Sequence, residues 1–123
     1  KWTGEIDTCA RCHRKIVEAV RPTAHGKNIE RGADGMTCST CHTGDVAQHA
    51  RTSKKEFINN PGNEKPEVAA EGCLKCHTNS RNMMFWRGSS HENAAVACSS
   101  CHNVHTPNVK GQLLNKASET DTC

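Results

Sequence analysis

One five-residue pattern, C-x-x-C-H, occurs four times in 123 residues: "CARCH" at 9–13, "CSTCH" at 38–42, "CLKCH" at 73–77 and "CSSCH" at 98–102. At this chain's own histidine frequency, four chance histidines at that position have a probability on the order of 10⁻⁵, so the spacing reflects chemistry. Two thiols three positions apart reach the two vinyl groups of one porphyrin and form thioethers, and the adjacent histidine lies under the ring, where it binds iron. The expected cofactors are four covalently attached haem c groups. They are held by Cys9 and Cys12, Cys38 and Cys41, Cys73 and Cys76, and Cys98 and Cys101, with His13, His42, His77 and His102 on the iron. Zinc sites also use paired cysteines but need no histidine directly after every pair. Redox-active dithiols normally occur as one pair on a thioredoxin-like scaffold.

Four histidines remain, His25, His49, His91 and His105, and four irons each need a sixth ligand. The equal count predicts bis-histidine ligation at all four. Met36, Met83 and Met84 are the competing thioether ligands, with packing against porphyrin faces as their expected role. In "CSSCHNVH", residues 98–105, His105 follows His102 by three positions, which on a helix sets the side chains about 5–6 Å apart on one face. His105 then cannot reach around to the other face of the ring that His102 serves. A neighbouring haem is expected instead, first of all the one at Cys73 and Cys76.

The composition makes the cofactors structurally necessary. Leu, Ile, Val and Phe together supply 16 of 123 residues, and there is no Tyr. Chains below about 20% in these residues tend to stay disordered, because too little area is buried to offset backbone ordering. Porphyrins must then supply the shared core, and with the helix signals below and no alternating strand the expected fold is mostly α and irregular, haem-organised, with short helices, long loops and no significant sheet, as in a multihaem cytochrome c. The formal charge of +3 is scattered, with no basic stripe or aromatic stacking set, which argues against nucleic acid. Two propionates on each ferric haem would bring that charge to about −1, so Lys and Arg are better read as propionate partners. No apolar run approaches a transmembrane span, and "KWTGEIDTC" at the start has no signal-peptide core.

Residues 1–123 read as a single tetrahaem unit with two loosely similar dihaem halves, about 1–60 and 61–123. The paired motifs are 29 residues apart in the first half and 25 in the second. "NNPGNEKP", 59–66, suits a linker. "CARCHRKIVEAVRP" predicts a helix ending at Pro22, and a second helix is expected from about Asp45 to Phe57 with His49 on its body. Ser89 and Glu92 form a capping-box pattern before "AAVACSSCHNVH", with Pro107 as a stop. No segment alternates as a strand.

"FWRGSSHENAAVACSSCHNVH", residues 85–105, resembles the recurring segment of the periplasmic multihaem cytochromes c, which include the pentahaem electron donor of nitrite reductase and the decahaem component of outer-membrane electron conduits. The shared pattern is an aromatic, then Ser and His, a small apolar run into the haem motif, and a further His three residues on. The resemblance implies an extended row of closely packed, low-potential, bis-histidine haems that relay electrons. Those relatives carry five or ten haems, and here "ETDTC" at the end echoes "EIDTC" at 5–9, with Cys123 following Cys98 by 25 residues. This predicts the first cysteine of a fifth motif, in a fragment of a longer multihaem chain; the alternative is a lone terminal thiol.

Six-coordinate iron has no position for substrate, so electron transfer is expected and an enzyme is not. The rival readings are a multihaem redox enzyme with one open haem and a subunit of a cytochrome filament. Thioether formation occurs outside the cytoplasm, which predicts a periplasmic or extracellular location. The expected partners are redox proteins, a quinol dehydrogenase upstream and a terminal reductase or outer-membrane conduit downstream, and an oligomer is compatible with the sequence.

Overall fold

The computed structural model describes residues 4–32, 35–79, 81, 83–107 and 112–123. Short helices and loops make up the chain: α1 (Glu5–Val20), α2 (Ala24–Arg31), α3 (Cys38–Cys41), α4 (Val46–Thr52), α5 (Pro66–Leu74), α6 (Ser90–Asn93) and α7 (Glu119–Thr122). Single 3-10 turns lie at Lys55–Phe57, Pro61–Asn63 and Cys98–Ser100. Among the described residues there is no strand; two isolated bridges, Gly44 with Ile58 and His102 with Leu114, are the sheet-like pairings. The mostly helical, irregular architecture is the expected one.

Helix α1 begins with Glu5 and Asp7 in its first turn, where carboxylates complement the helix dipole. Its buried residues, Ile6 and Val17, stand three turns apart on one face. Ala10, Ile29 and Cys38 pack against them. The helical path is interrupted at His13 (φ −109°, ψ 34°), the last residue of the first motif.

Helix α2 packs against the end of α1, with Gly26 close to Val20 and Ile29 on Ile6 and Val17. Its cap is Thr23, which is 1% exposed. The Thr23 hydroxyl donates to the Val20 carbonyl at 2.6 Å and accepts from the Gly26 N–H at 3.1 Å. A Cβ on Gly26 would lie 2.0 Å from the Val20 carbonyl oxygen, so only glycine allows this approach. Thr23 and Gly26 together fix the position of His25.

Two helices are shorter than the sequence predicts. Asp45 caps α4 through the Gln48 N–H, but the helix stops at Thr52 because Ser53 turns left-handed (φ 60°). Ser89 caps α6 as predicted, by accepting from the Glu92 N–H. The carboxylate of Glu92 reaches the Gly88 N–H and not that of Ser89. Ala95 then takes φ 56°, and the Val96 N–H returns to the His91 carbonyl, closing a left-handed C-terminal motif. The fourth haem motif therefore sits on a 3-10 turn and not on a continuation of α6.

The buried apolar residues of the described chain are Ile6, Val17, Ala69, Ala70, Leu74 and Leu114. So small a set cannot offset the ordering of this chain by itself. Phe85, 75% exposed, and Met84 stand outside it. No helix among the described residues is long and apolar enough to cross a membrane.

Candidate functional site

Each motif past the first is closed by the same local bond, from the histidine N–H to the carbonyl of the first cysteine. The lengths are 2.9 Å for His42 to Cys38, 3.0 Å for His77 to Cys73 and 2.9 Å for His102 to Cys98. One helical turn thus places both thiols and the imidazole on the same side of the backbone. Surroundings differ, since the motifs lie inside α1, over α3, at the end of α5 and on a 3-10 turn.

Helices α1 and α3 pack together, and α5 packs on the Cys98–Ser100 turn. In both cases the first cysteines of two motifs meet. The sulfurs of Cys9 and Cys38 lie within 4.8 Å of each other and of the Glu5 carboxylate, close enough for the two thiols to interact. Burial, then the neighbouring Cys9, pushes the Cys38 thiol up to about 12. Cys73 and Cys98 interact in the same way, which lowers Cys98 and raises Cys73. Burial, then Cys76, raises Cys41. Cys9 thus lies beside Cys38, Cys41 feels Cys76, and Cys73 interacts with Cys98, so each motif is influenced by the next in chain order.

Three pairs of imidazoles face one another. His13 and His49 have ring centres 6.3 Å apart, His42 and His105 6.0 Å, and His25 and His77 5.9 Å. An iron bonded at about 2 Å to a nitrogen of each ring would hold the ring centres about 6 Å apart, so these separations fit the group that the motifs imply. Burial, then His77, lowers the pKa of His25, and burial, then His42, lowers that of His105. Both shifts favour the neutral imidazole, the form able to bind a metal.

The pairings also correct one expectation. His105 stands against His42 of the second motif, whereas His77 of the third faces His25. His105 lies beyond the 3-10 turn, so the helical-face argument does not apply to it, although the ring it faces is indeed not His102. Two of the three pairs link residues 1–60 with residues 61–123, so the halves interlock. His91 and His102 are the pair that the count requires and the structure does not bring together. His91 stacks on Trp86 at 6.2 Å, and no ring stands against His102 among the described residues.

A second layer of residues escaped sequence reading. The His42 Nδ1–H donates to the Asn59 carbonyl at 3.2 Å, that of His49 to Lys54 at 2.9 Å and that of His102 to Gln112 at 2.8 Å. A carbonyl only accepts, so each bond fixes the tautomer that leaves Nε2 free for iron. Motifs two and four share a strap: Asn59 returns its N–H to Thr43, and Asn115 returns its N–H to Cys101. The intervals differ, so no repeat was visible. Glu5 was missed as well; its carboxylate takes the Ser39 N–H and the Ser39 hydroxyl, both at 2.9 Å, tying α1 to α3.

Four one-turn motifs, three of whose imidazoles face a second histidine ring, are the pattern of a multihaem cytochrome c. A model of the NrfB-like cytochrome c-type proteins matches residues 38–123, and the chain belongs to that family. It is 31% identical, over 95% of its length, to the multiheme cytochrome MtrA of Shewanella baltica, of which it covers 36%. It is 27% identical, over 94% of its length, to the cytochrome c-type protein NrfB of Escherichia coli O6:H1, of which it covers 61%. The chain thus spans less than two thirds of either relative. No solved structure matches it significantly.

Proposed function

We propose that this chain relays electrons along a row of four closely packed, low-potential haem c groups, within a longer multihaem protein. When bound, the haem iron supplies a one-electron couple that keeps its ligands in both states. The observation that carries the reading is the set of three imidazole pairs at 5.9–6.3 Å. His13 with His49, His42 with His105 and His77 with His25 would fill both axial positions of three irons, which leaves no coordination site for a substrate. His102 would bind the fourth, and His91 is the eighth candidate ligand. The touching cysteines keep the attachment points in chain order and close together. Imidazole on both sides favours the ferric state over a histidine and methionine pair, which supports low potentials.

A second reading has an observation of its own. His102 lacks a facing ring among the described residues, which favours an open iron at the fourth motif and hence a redox enzyme. Electron paramagnetic resonance of the ferric holoprotein, with an intact mass, separates the two. Four haems with only low-spin iron support the relay; a stoichiometric high-spin signal that shifts when nitrite is added supports the enzyme and ends the pure relay.

Haem attachment outside the cytoplasm places the protein in the periplasm or beyond. Its partners are then redox proteins, a quinol dehydrogenase as donor and a terminal reductase or outer-membrane conduit as acceptor.

A further inference from the structure

The three ring pairs are not alike. The planes of His13 and His49 lie within 13° and those of His42 and His105 within 14°, but His25 and His77 are at 89°. An axial imidazole donates π density to the one iron d orbital that projects from its face. Parallel rings raise the same orbital, split the d pair and stabilise the ferric hole. Perpendicular rings raise both orbitals alike, so the splitting is nearly lost and the ferric state loses that stabilisation.

A second difference points the same way. In each parallel pair one ligand hands its Nδ1–H to a backbone carbonyl, His49 to Lys54 and His42 to Asn59. Such a bond makes the imidazole a stronger donor and favours ferric iron. In the perpendicular pair the Nδ1 of His25 is buried without an acceptor, and His77 has none among the described residues. The cause lies in the fold: Thr23 and Gly26 seat α2 against the end of α1, which positions His25 between them and leaves its Nδ1 buried without a partner.

We propose that His25 makes the third motif the electron well of this relay, with an iron that is easier to reduce than those of the first two motifs. This rests on the reading of these rings as axial ligands. The step is one electron from the reductant to ferric iron, with both iron–nitrogen bonds kept.

The test is a dithionite redox titration of the full holoprotein, followed by electron paramagnetic resonance. Near-degenerate d orbitals give a low-spin signal of large maximum g value, and split orbitals give rhombic signals. The expected result is a large-g signal that disappears at higher potential than the rhombic ones. In His25→Ala, one iron's worth of large-g signal is lost while the rhombic signals remain. Only rhombic low-spin signals, a large-g signal reduced last, or its full persistence in His25→Ala would each overturn the proposal and leave the axial pairs standing. High-spin iron at several haems of the unmodified protein would instead remove the axial pairs themselves.

Discussion

Motifs one and two meet over a buried apolar cluster, whereas motifs three and four meet beside exposed charge. In the first region Cys38 packs on Ile6 and Val17, and the Glu5 carboxylate ties α1 to Ser39. In the second, the buried residues are Ala69, Ala70 and Leu74 on α5, with Leu114 beside His102. A cavity of about 270 Å³, lined by Pro66, Ala70, Trp86 and Val96, separates α5 from the segment after α6. The cross-tie there is Arg87 to Glu71 at 2.6 Å, between side chains that are both more than half exposed. Both regions nevertheless bring two first cysteines into contact. The contact of attachment points is what recurs, and different packing achieves it.

The strongest way to break this comparison is to remove the apolar anchor of each region. Ile6 is 5% exposed and Leu74 4%, and replacing either by Ala is expected to cost about 3 kcal/mol. The measurement is the denaturant midpoint of the holoprotein. A loss well below about 1 kcal/mol at Ile6 would mean that cofactors alone hold the first region together. Thr23→Ala should follow, at about 1 kcal/mol, since it removes the α2 cap, and Thr23→Ser should restore most of it.

Acid sharpens the contrast further. Burial raises the Glu5 pKa, but the hydrogen bonds from the Ser39 N–H and hydroxyl and from Thr37 outweigh it, and the net value lies below the ordinary carboxylate range. A depressed folded pKa contributes stability above the unfolded value, and that contribution is lost as pH falls through the folded one. Glu5→Gln should therefore flatten the acid limb of the stability profile, read from denaturant midpoints between neutral and acidic pH. The smallest effect belongs to Arg87→Gln. Its ion pair is solvent-exposed and screened, so no resolvable change in midpoint is expected at physiological salt, whereas a clear one would show that the second region leans on charge.

What was legible of the candidate site is local: two cysteines and a histidine gathered by one helical turn, with the bond from histidine N–H to the first cysteine's carbonyl recurring in the second, third and fourth motifs. Helix starts at Asp45 and Ser89 were readable from their side-chain caps. Their ends were not, because Ser53 and Ala95 adopt left-handed backbone at residues that do not announce it. The carbonyl partners of His42, His49 and His102 were invisible for a simpler reason. A backbone acceptor carries no side-chain signature.

By itself the sequence determined the four C-x-x-C-H spacings, the eight histidine candidates and the poverty of apolar residues, since all three follow from residue identity and short spacing. The tertiary structure alone decided which rings face one another and at what angle. His105 meets His42 across 63 residues and His25 meets His77 across 52, distances over which chain spacing carries no geometric information. Only the packing of α2 against α1 and of α5 on the last motif turns a count of histidines into a set of facing rings.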